Sequence, residues 1–383
     1  MRLLNTQTMR LESFLYGNTP PYAILSHTWG PDEVTFQDVT LPHPDLASKR
    51  GWLKIIGFRD ALILNRNLLS QPVNYIWVDT CCIDKTSSSE LSEAINSMFR
   101  WYRQSVGCFA VLEDVLLKGD GLPVSNDFEK ARWFTRGWTL QELLAPRRLD
   151  FFDQNWLWLG SKADLASRIS ARTNISEDVI LTGEWPFASI SQRMSWASGR
   201  VTTRVEDMAY CLLGIFDVNM PMLYGEGENA FIRLQEEIIK ESDDQSIFAW
   251  DASKKPEVIE SVGIFATSPA FFGDGASIEP NMADLSPYSL TNKGLQITVP
   301  IVERQDFPGE KLAVLSCSQI NTDLPSFVGI PIQADPANAM VLSRLRSSPV
   351  MIPIRDSTAL LHSKRTVFLT KRDRKASRRQ QAT

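Results

Sequence analysis

Short apolar runs that alternate with stretches of helical periodicity constrain the fold of this chain more than any other feature. Residues 22–26 (YAILS), 75–78 (YIWV) and 108–112 (CFAVL) are too short and too uniformly apolar for amphipathic helices and suit buried strands. Between the first two, residues 49–64 place Trp52, Ile55, Ile56, Leu62 and Ile63 at mostly helical spacing, and residues 90–103 form a second helical pattern. This order predicts an α/β domain with a parallel sheet and helices on both faces. Ligands bind such sheets beyond the carboxyl ends of the strands. The residues leaving the three runs, Ser26 and His27, Asp79 and Cys81, then Glu113 and Asp114, are therefore expected along one edge. Residues 139–144 read as a helical turn stopped by Pro146, with a further strand over 148–152; Trp138 and Glu142, four apart, share a helical face.

Later segments read differently. Residues 162–241 are mainly helical, most clearly over 205–216 and 230–241, and beyond 246 the runs 246–250, 295–300 and 311–317, punctuated by Gly and Pro, suggest strands. The expected organisation is an α/β domain over 1–155, a helical extension over 156–245, a smaller β-rich region over 246–370 and a basic, disordered tail over 371–383. With 383 residues, one typical domain is too small to hold the chain. A formal net charge of -5 disfavours nucleic acid and anionic membranes as partners. No stretch approaches eighteen uninterrupted apolar residues, so no membrane span is expected, and the first fourteen residues lack the apolar core of a leader. Five cysteines, an odd number with an adjacent pair and no Cys-x-x-Cys, fit neither a disulfide framework nor a zinc site. His27, His43 and His362 are not spaced as metal ligands. A reduced, cytoplasmic location and no metal follow as expectations.

Four blocks, YAILSHTWG from Tyr22, YIWVDTCCIDK from Tyr75, CFAVLEDV from Cys108 and RGWTLQELLAP from Arg136, resemble in order and spacing the fungal heterokaryon-incompatibility (HET) domain. The segment from Glu206 to about Trp250 resembles the region that commonly follows that domain. The resemblance implies a part in non-self recognition and programmed cell death. No G-x-x-x-x-G-K-[ST] is present, so activation is expected through protein partners or self-assembly rather than a P-loop. HET domains are also remotely similar to TIR domains, flavodoxin-like parallel-sheet modules some of which hydrolyse NAD. Their W-C-x-x-E-L pattern is matched by Trp138-Thr139-Leu140-Gln141-Glu142-Leu143, which makes Glu142 the catalytic carboxylate by resemblance; Thr139 stands where a cysteine often follows, and SHTWG lacks the usual TIR wording. Cleaving the nicotinamide N-glycosidic bond builds oxocarbenium character on the ribose, which one carboxylate stabilises without a metal or cofactor. NAD would then be the substrate, with Trp29 or Trp138 stacking on a ring and Ser26, His27 and Asp79 binding ribose hydroxyls.

Each of these residues has a plainer reading. Glu142 could be a solvated glutamate paired with Arg147 or Arg148, Trp138 could fill core space, and His27 could hold a turn by a hydrogen bond. Asp84 is expected to cap the turn or helix that follows it, while Asp79 stays open between capping and binding. Cys81 and Cys82 are expected to pack as small apolar groups, a nucleophilic role requiring His27 within reach. GEGEN at 225–229 is expected to be a turn with Asn229 capping the next helix, because its two acids would repel phosphate. For the whole chain, an NAD glycohydrolase and a non-enzymatic interaction module that recruits death machinery both remain open.

Overall fold

The computed structural model describes residues 1–371 apart from 16, 42–43, 118–126, 255–260, 282–285, 305–306, 308–309, 321–325, 336–337 and 354–362. His43, His362, the expected loop over 118–125 and the basic run beyond Lys371 lie outside the described residues. The chain forms two compact units, one of Met1–Trp185 with Arg200–Met222 and one of Pro186–Gly199 with Leu223–Thr383.

In the first unit seven strands form one sheet: β1 (Arg2–Asn5), β2 (Leu11–Ser13), β3 (Tyr22–His27), β4 (Tyr75–Trp77), β5 (Gly107–Val111), β6 (Leu149–Phe152) and β7 (Trp158–Ser161), in the order β2-β1-β4-β3-β5-β6-β7. The central pairs β4–β3, β3–β5 and β5–β6 are parallel and the outer pairs antiparallel. All six residues of β3 are buried, which is why this strand reads as a continuous apolar run. The connections carry α1 (Phe36–Thr40) and α2 (Arg50–Leu64), then α3 (Ser88–Gln104), then α4 (Asp127–Lys130) and α5 (Thr139–Leu144).

Side-chain alternation along the strands assigns these helices to faces. Phe58 of α2 packs at 5.4 Å on Phe109 of β5, which stacks at 5.0 Å on Phe152 of β6. Trp77 of β4 instead meets Trp101 and Tyr102 of α3. Helix α3 is opened by Ser87, whose hydroxyl accepts from the Glu90 amide. It buries Ala94, Ile95, Met98, Phe99 and Tyr102, one stripe at helical spacing. All of α5 is buried, and Lys162 donates to the carbonyls of Leu143 and Pro146 at its carboxyl end.

The second unit is built on strands β8 (Ser261–Val262), β9 (Ile278–Pro280), β10 (Ser289–Thr291), β11 (Gly294–Glu303), β12 (Lys311–Gln319), β13 (Ser326–Asp335), β14 (Asn338–Leu345), β15 (Val350–Pro353) and β16 (Lys364–Leu369). Their order is β10-β11-β16-β14-β13-β12-β9, and an added β11–β12 pairing closes five strands into a ring.

Several readings change. Residues 245–248 form a 3-10 turn, not a strand: the Asp244 carboxylate accepts from the Ser246 amide, and Ile247, Phe248 and Trp250 are buried from the turn. The helix expected over 205–216 is two short pieces, Asp207–Tyr210 and Leu213–Phe216. Asn229 is the first residue of the helix Asn229–Glu241, and its side chain donates back to the Glu226 carbonyl instead of capping; positive φ at Gly225 and Gly227 makes the turn. The stretch 156–245 is divided between the two units, β7 and Arg200–Met222 belonging to the first.

Candidate functional site

The sheet pleat sends Ser26 and His27, adjacent in sequence, to opposite faces of β3. Two clusters result at the carboxyl end of the parallel strands. On the α3–α5 face, the Trp133 indole N–H donates to Ser26 Oγ at 2.7 Å and the Ser26 hydroxyl donates to Glu142 Oε2. Ser26, Trp133 and Glu142 are all buried. Tyr102, whose hydroxyl donates to the Leu25 carbonyl at 3.0 Å, lies beside them. Arg200 is buried there too, donating to the Arg136 carbonyl at 2.9 Å and to Thr139 Oγ1 at 3.0 Å. Burial pushes the Glu142 carboxyl up to about 8: the Ser26 hydrogen bond draws it down, the Asp79 charge adds to the rise, and Tyr102 and Arg200 oppose it. At neutral pH Glu142 is thus mainly a neutral acid within a hydrogen-bonded chain.

The second cluster lies on the α2 face. His27 Nε2 stands 3.6 Å from Glu33 and 3.9 Å from Asp79. Lys54 bridges Glu33 at 2.6 Å and Glu113 at 2.7 Å. Burial pushes the Glu33 carboxyl up, but the His27 imidazole, the Lys54 ammonium and the Gly30 amide outweigh it and hold Glu33 down at about 2. The Trp29 indole donates to Asp79 Oδ2 at 2.9 Å, and the Lys85 ammonium sits 3.7 Å over the Trp29 ring. Arg132 donates to Thr28 Oγ1 at 2.9 Å and stands 3.6 Å from Glu113. Here the surface is open, with Trp29 53% exposed, whereas Ser26 has no exposed surface.

Three buried polar atoms near the carboxyl ends of β3 and β4, His27 Nε2, Trp77 Nε1 and Thr80 Oγ1, make no hydrogen bond among the described residues. Buried polar atoms are ordinarily satisfied. His27 Nε2 has only its longer contacts with Glu33 and Asp79, so the polar groups at this edge are not all satisfied within the protein.

The structure brings together Ser26 with Glu142, and His27 with Asp79 and Trp29; Asp79 also lies close enough to influence Glu142. Glu142 is neither solvated nor paired with Arg147 or Arg148, since Arg148 pairs with Asp150 at 2.7 Å. Trp138 is half-buried at the start of α5, and the indole that reaches Ser26 belongs to Trp133. Asp84 accepts from the Thr86 amide and hydroxyl, fixing the turn before α3, whereas Ser87 caps the helix. Cys81 and Cys82 are buried thiols; the Cys82 contact and burial push Cys81 well above its ordinary value, which disfavours a thiolate nucleophile.

Glu33, Lys54, Lys85, Arg132, Trp133, Tyr102 and Arg200 were absent from the sequence-derived site. Glu33 and Arg132 stand six residues or fewer from the block residues Thr28 and Trp138. Nothing in local spacing marks Tyr102 or Arg200, which arrive from α3 and from a segment beyond 199.

Residues 22–121 match the family described as heterokaryon incompatibility protein (HET), and residues 229–271 match a domain of unknown function. The chain is 46% identical over 230 residues to the vegetative incompatibility protein HET-E-1 of Podospora anserina, a match that covers 59% of this chain and 16% of that protein. No solved structure matches. Ser26, His27, Trp29 and Asp79 fall inside the family match, and Glu142 falls beyond its end. With the YAILSHTWG, YIWVDTCCIDK and CFAVLEDV blocks all inside the match over residues 22–121, the chain carries a heterokaryon-incompatibility domain.

Proposed function

We propose that this protein acts in vegetative incompatibility, the role for which its Podospora anserina relative is named, as a cytoplasmic effector of cell death whose first unit is a TIR-like NAD glycohydrolase. The order of the four parallel strands, second-first-third-fourth along the chain, is that of flavodoxin-like sheets and supports the TIR-like reading. One observation carries the enzymatic reading: Glu142, the residue matched to the TIR glutamate, is hydrogen-bonded to Ser26 of β3 at the carboxyl edge of the sheet. An ionised Glu142 would stabilise the oxocarbenium-like ribose as nicotinamide departs. Trp29 and Asp79 form the open approach, offering a ring face and a hydroxyl acceptor.

Burial sets a condition on this chemistry. A sugar can touch Glu142 only after the Trp133–Ser26–Glu142 layer opens, which agrees with activation by protein partners or self-assembly. A cationic nicotinamide beside Glu142 also favours its ionised form. Clustered wild-type protein is expected to consume NAD, with kcat/KM rising with pH around a midpoint near 8 in the free enzyme. Glu142→Gln should lose that turnover by about a hundredfold or more. Equal NAD consumption by wild type and Glu142→Gln would falsify the assignment.

The same burial supports a second reading, an interaction module in which the Glu142 cluster only braces α5. That module predicts cell death undiminished by Glu142→Gln, with no NAD loss.

A further inference from the structure

The amino edge of the parallel sheet, at the other end of the strands from the Ser26–Glu142 cluster, carries a hollow of about 790 Å³. Four arginines line it: Arg100 and Arg103 from the last turns of α3, and Arg147 and Arg148 from the segment entering β6. Among the described residues no carboxylate lines it, and Asn67 and Gln104 add polar side chains. The chain as a whole is acidic, with a net charge of -5, so general basicity does not account for this concentration.

Helix-dipole compensation explains part of the arrangement, because cations near the carboxyl end of a helix are stabilising. It accounts for Arg100 and Arg103 but not for Arg147 and Arg148, which reach the same hollow from a different element. Arg148 is committed to the buried Asp150, and Arg100 donates to Ser97 Oγ at 3.1 Å. Arg103 and Arg147 are exposed and have no hydrogen bond or ion pair among the described residues. A neighbouring hollow of about 440 Å³ shares Arg100 and Gln104 and holds Glu93, the one carboxylate among the described residues lining either hollow.

We propose that this four-arginine hollow binds a compact phosphate-bearing anion, free or as a lipid headgroup, with Arg103 and Arg147 as its principal ligands. Guanidinium forks match phosphate oxygens in pairs, and a concave hollow of this size suits a small ligand. The proposal does not depend on NAD chemistry at the opposite edge.

Calorimetric titration of the full chain with tripolyphosphate, beside flotation with vesicles containing a phosphorylated inositol lipid, tests it. Saturable one-to-one binding is expected, weakened at least about tenfold in the Arg103→Ala/Arg147→Ala double variant. The Arg103→Lys/Arg147→Lys variant should fall between, since it keeps charge but loses the fork. Both variants change exposed side chains, and circular dichroism checks their fold. Binding to the vesicle alone, lost in the double variant, retains the site and makes the source a lipid; binding to tripolyphosphate alone makes it a free anion. No binding to either probe, or an equal loss in an Arg59→Ala control, overturns the proposal.

Discussion

At the scale of single residues, Glu142 is the most informative group. Its carboxyl is held near 8 by burial, against 4.5 for an exposed glutamate. Between those pH values the folded chain binds the proton more tightly than the unfolded chain. Stability is therefore full below about 4.5, falls as pH rises, and stops falling above about 8, the slope in between being on the order of 1.4 kcal/mol per pH unit. Glu142→Gln, neutral at every pH, should flatten this part of the profile and leave the variant at least as stable as wild type at pH 8. Urea denaturation at pH 5, 6.5 and 8 measures it; a slope unchanged by the substitution would contradict a buried, proton-retaining carboxyl. Sequence marked Glu142, Ser26 and Asp79 but not their relation. Ser26 and Glu142 are 116 residues apart, and the indole completing their hydrogen-bonded chain is Trp133, five residues before Trp138.

At the scale of elements, close approach decides what propensity cannot. Gly214 lies in the short helix Leu213–Phe216, where glycine-to-alanine would ordinarily stabilise an exposed helix by up to about 1 kcal/mol. Here a Cβ would stand 2.1 Å from the Cβ of Phe99 on α3. Overpacking then dominates, and Gly214→Ala is expected to destabilise the fold by about 1–3 kcal/mol. Chemical denaturation of the variant gives the sign, and an unchanged or raised midpoint would show that the two helices can separate freely. The elements best read from sequence were those with long or continuous patterns: β3, α2, α3 and α5 lie within a residue or two of their expected limits. The run 246–250 misled because four or five apolar residues look alike in a strand and a buried turn. The capping carboxylate of Asp244, just before it, was the local signal for a turn.

At the scale of the molecule, the first unit is discontinuous. Its sheet ends on β7, beyond residue 155, and Val201 pairs with Arg136 while Arg200 donates to Arg136 and Thr139. A fragment of residues 1–155 lacks that edge strand and those donors to the turn that starts α5. It is expected to show no cooperative thermal transition, whereas a fragment of residues 1–222 should melt cooperatively. Differential scanning calorimetry of the two decides it, and a sharp transition in the shorter fragment would refute the need for Arg200–Met222. No helix among the described residues is long and apolar enough to cross a membrane.

Apolar periodicity and strand-end chemistry were sufficient to place the parallel strands of the first unit and their carboxyl edge, and resemblance of four short blocks pointed to a heterokaryon-incompatibility domain, because these are local properties of consecutive residues. Only the tertiary structure decided which side chains meet. The pleat turned Ser26 toward Glu142 and His27 toward Glu33 and Lys54, and chain return brought Arg200 beneath α5. The physical reason is that ionisation, burial and hydrogen bonding depend on neighbours in space, and those neighbours come from separate elements, 61 residues apart for Arg200 and Thr139 and 116 for Ser26 and Glu142.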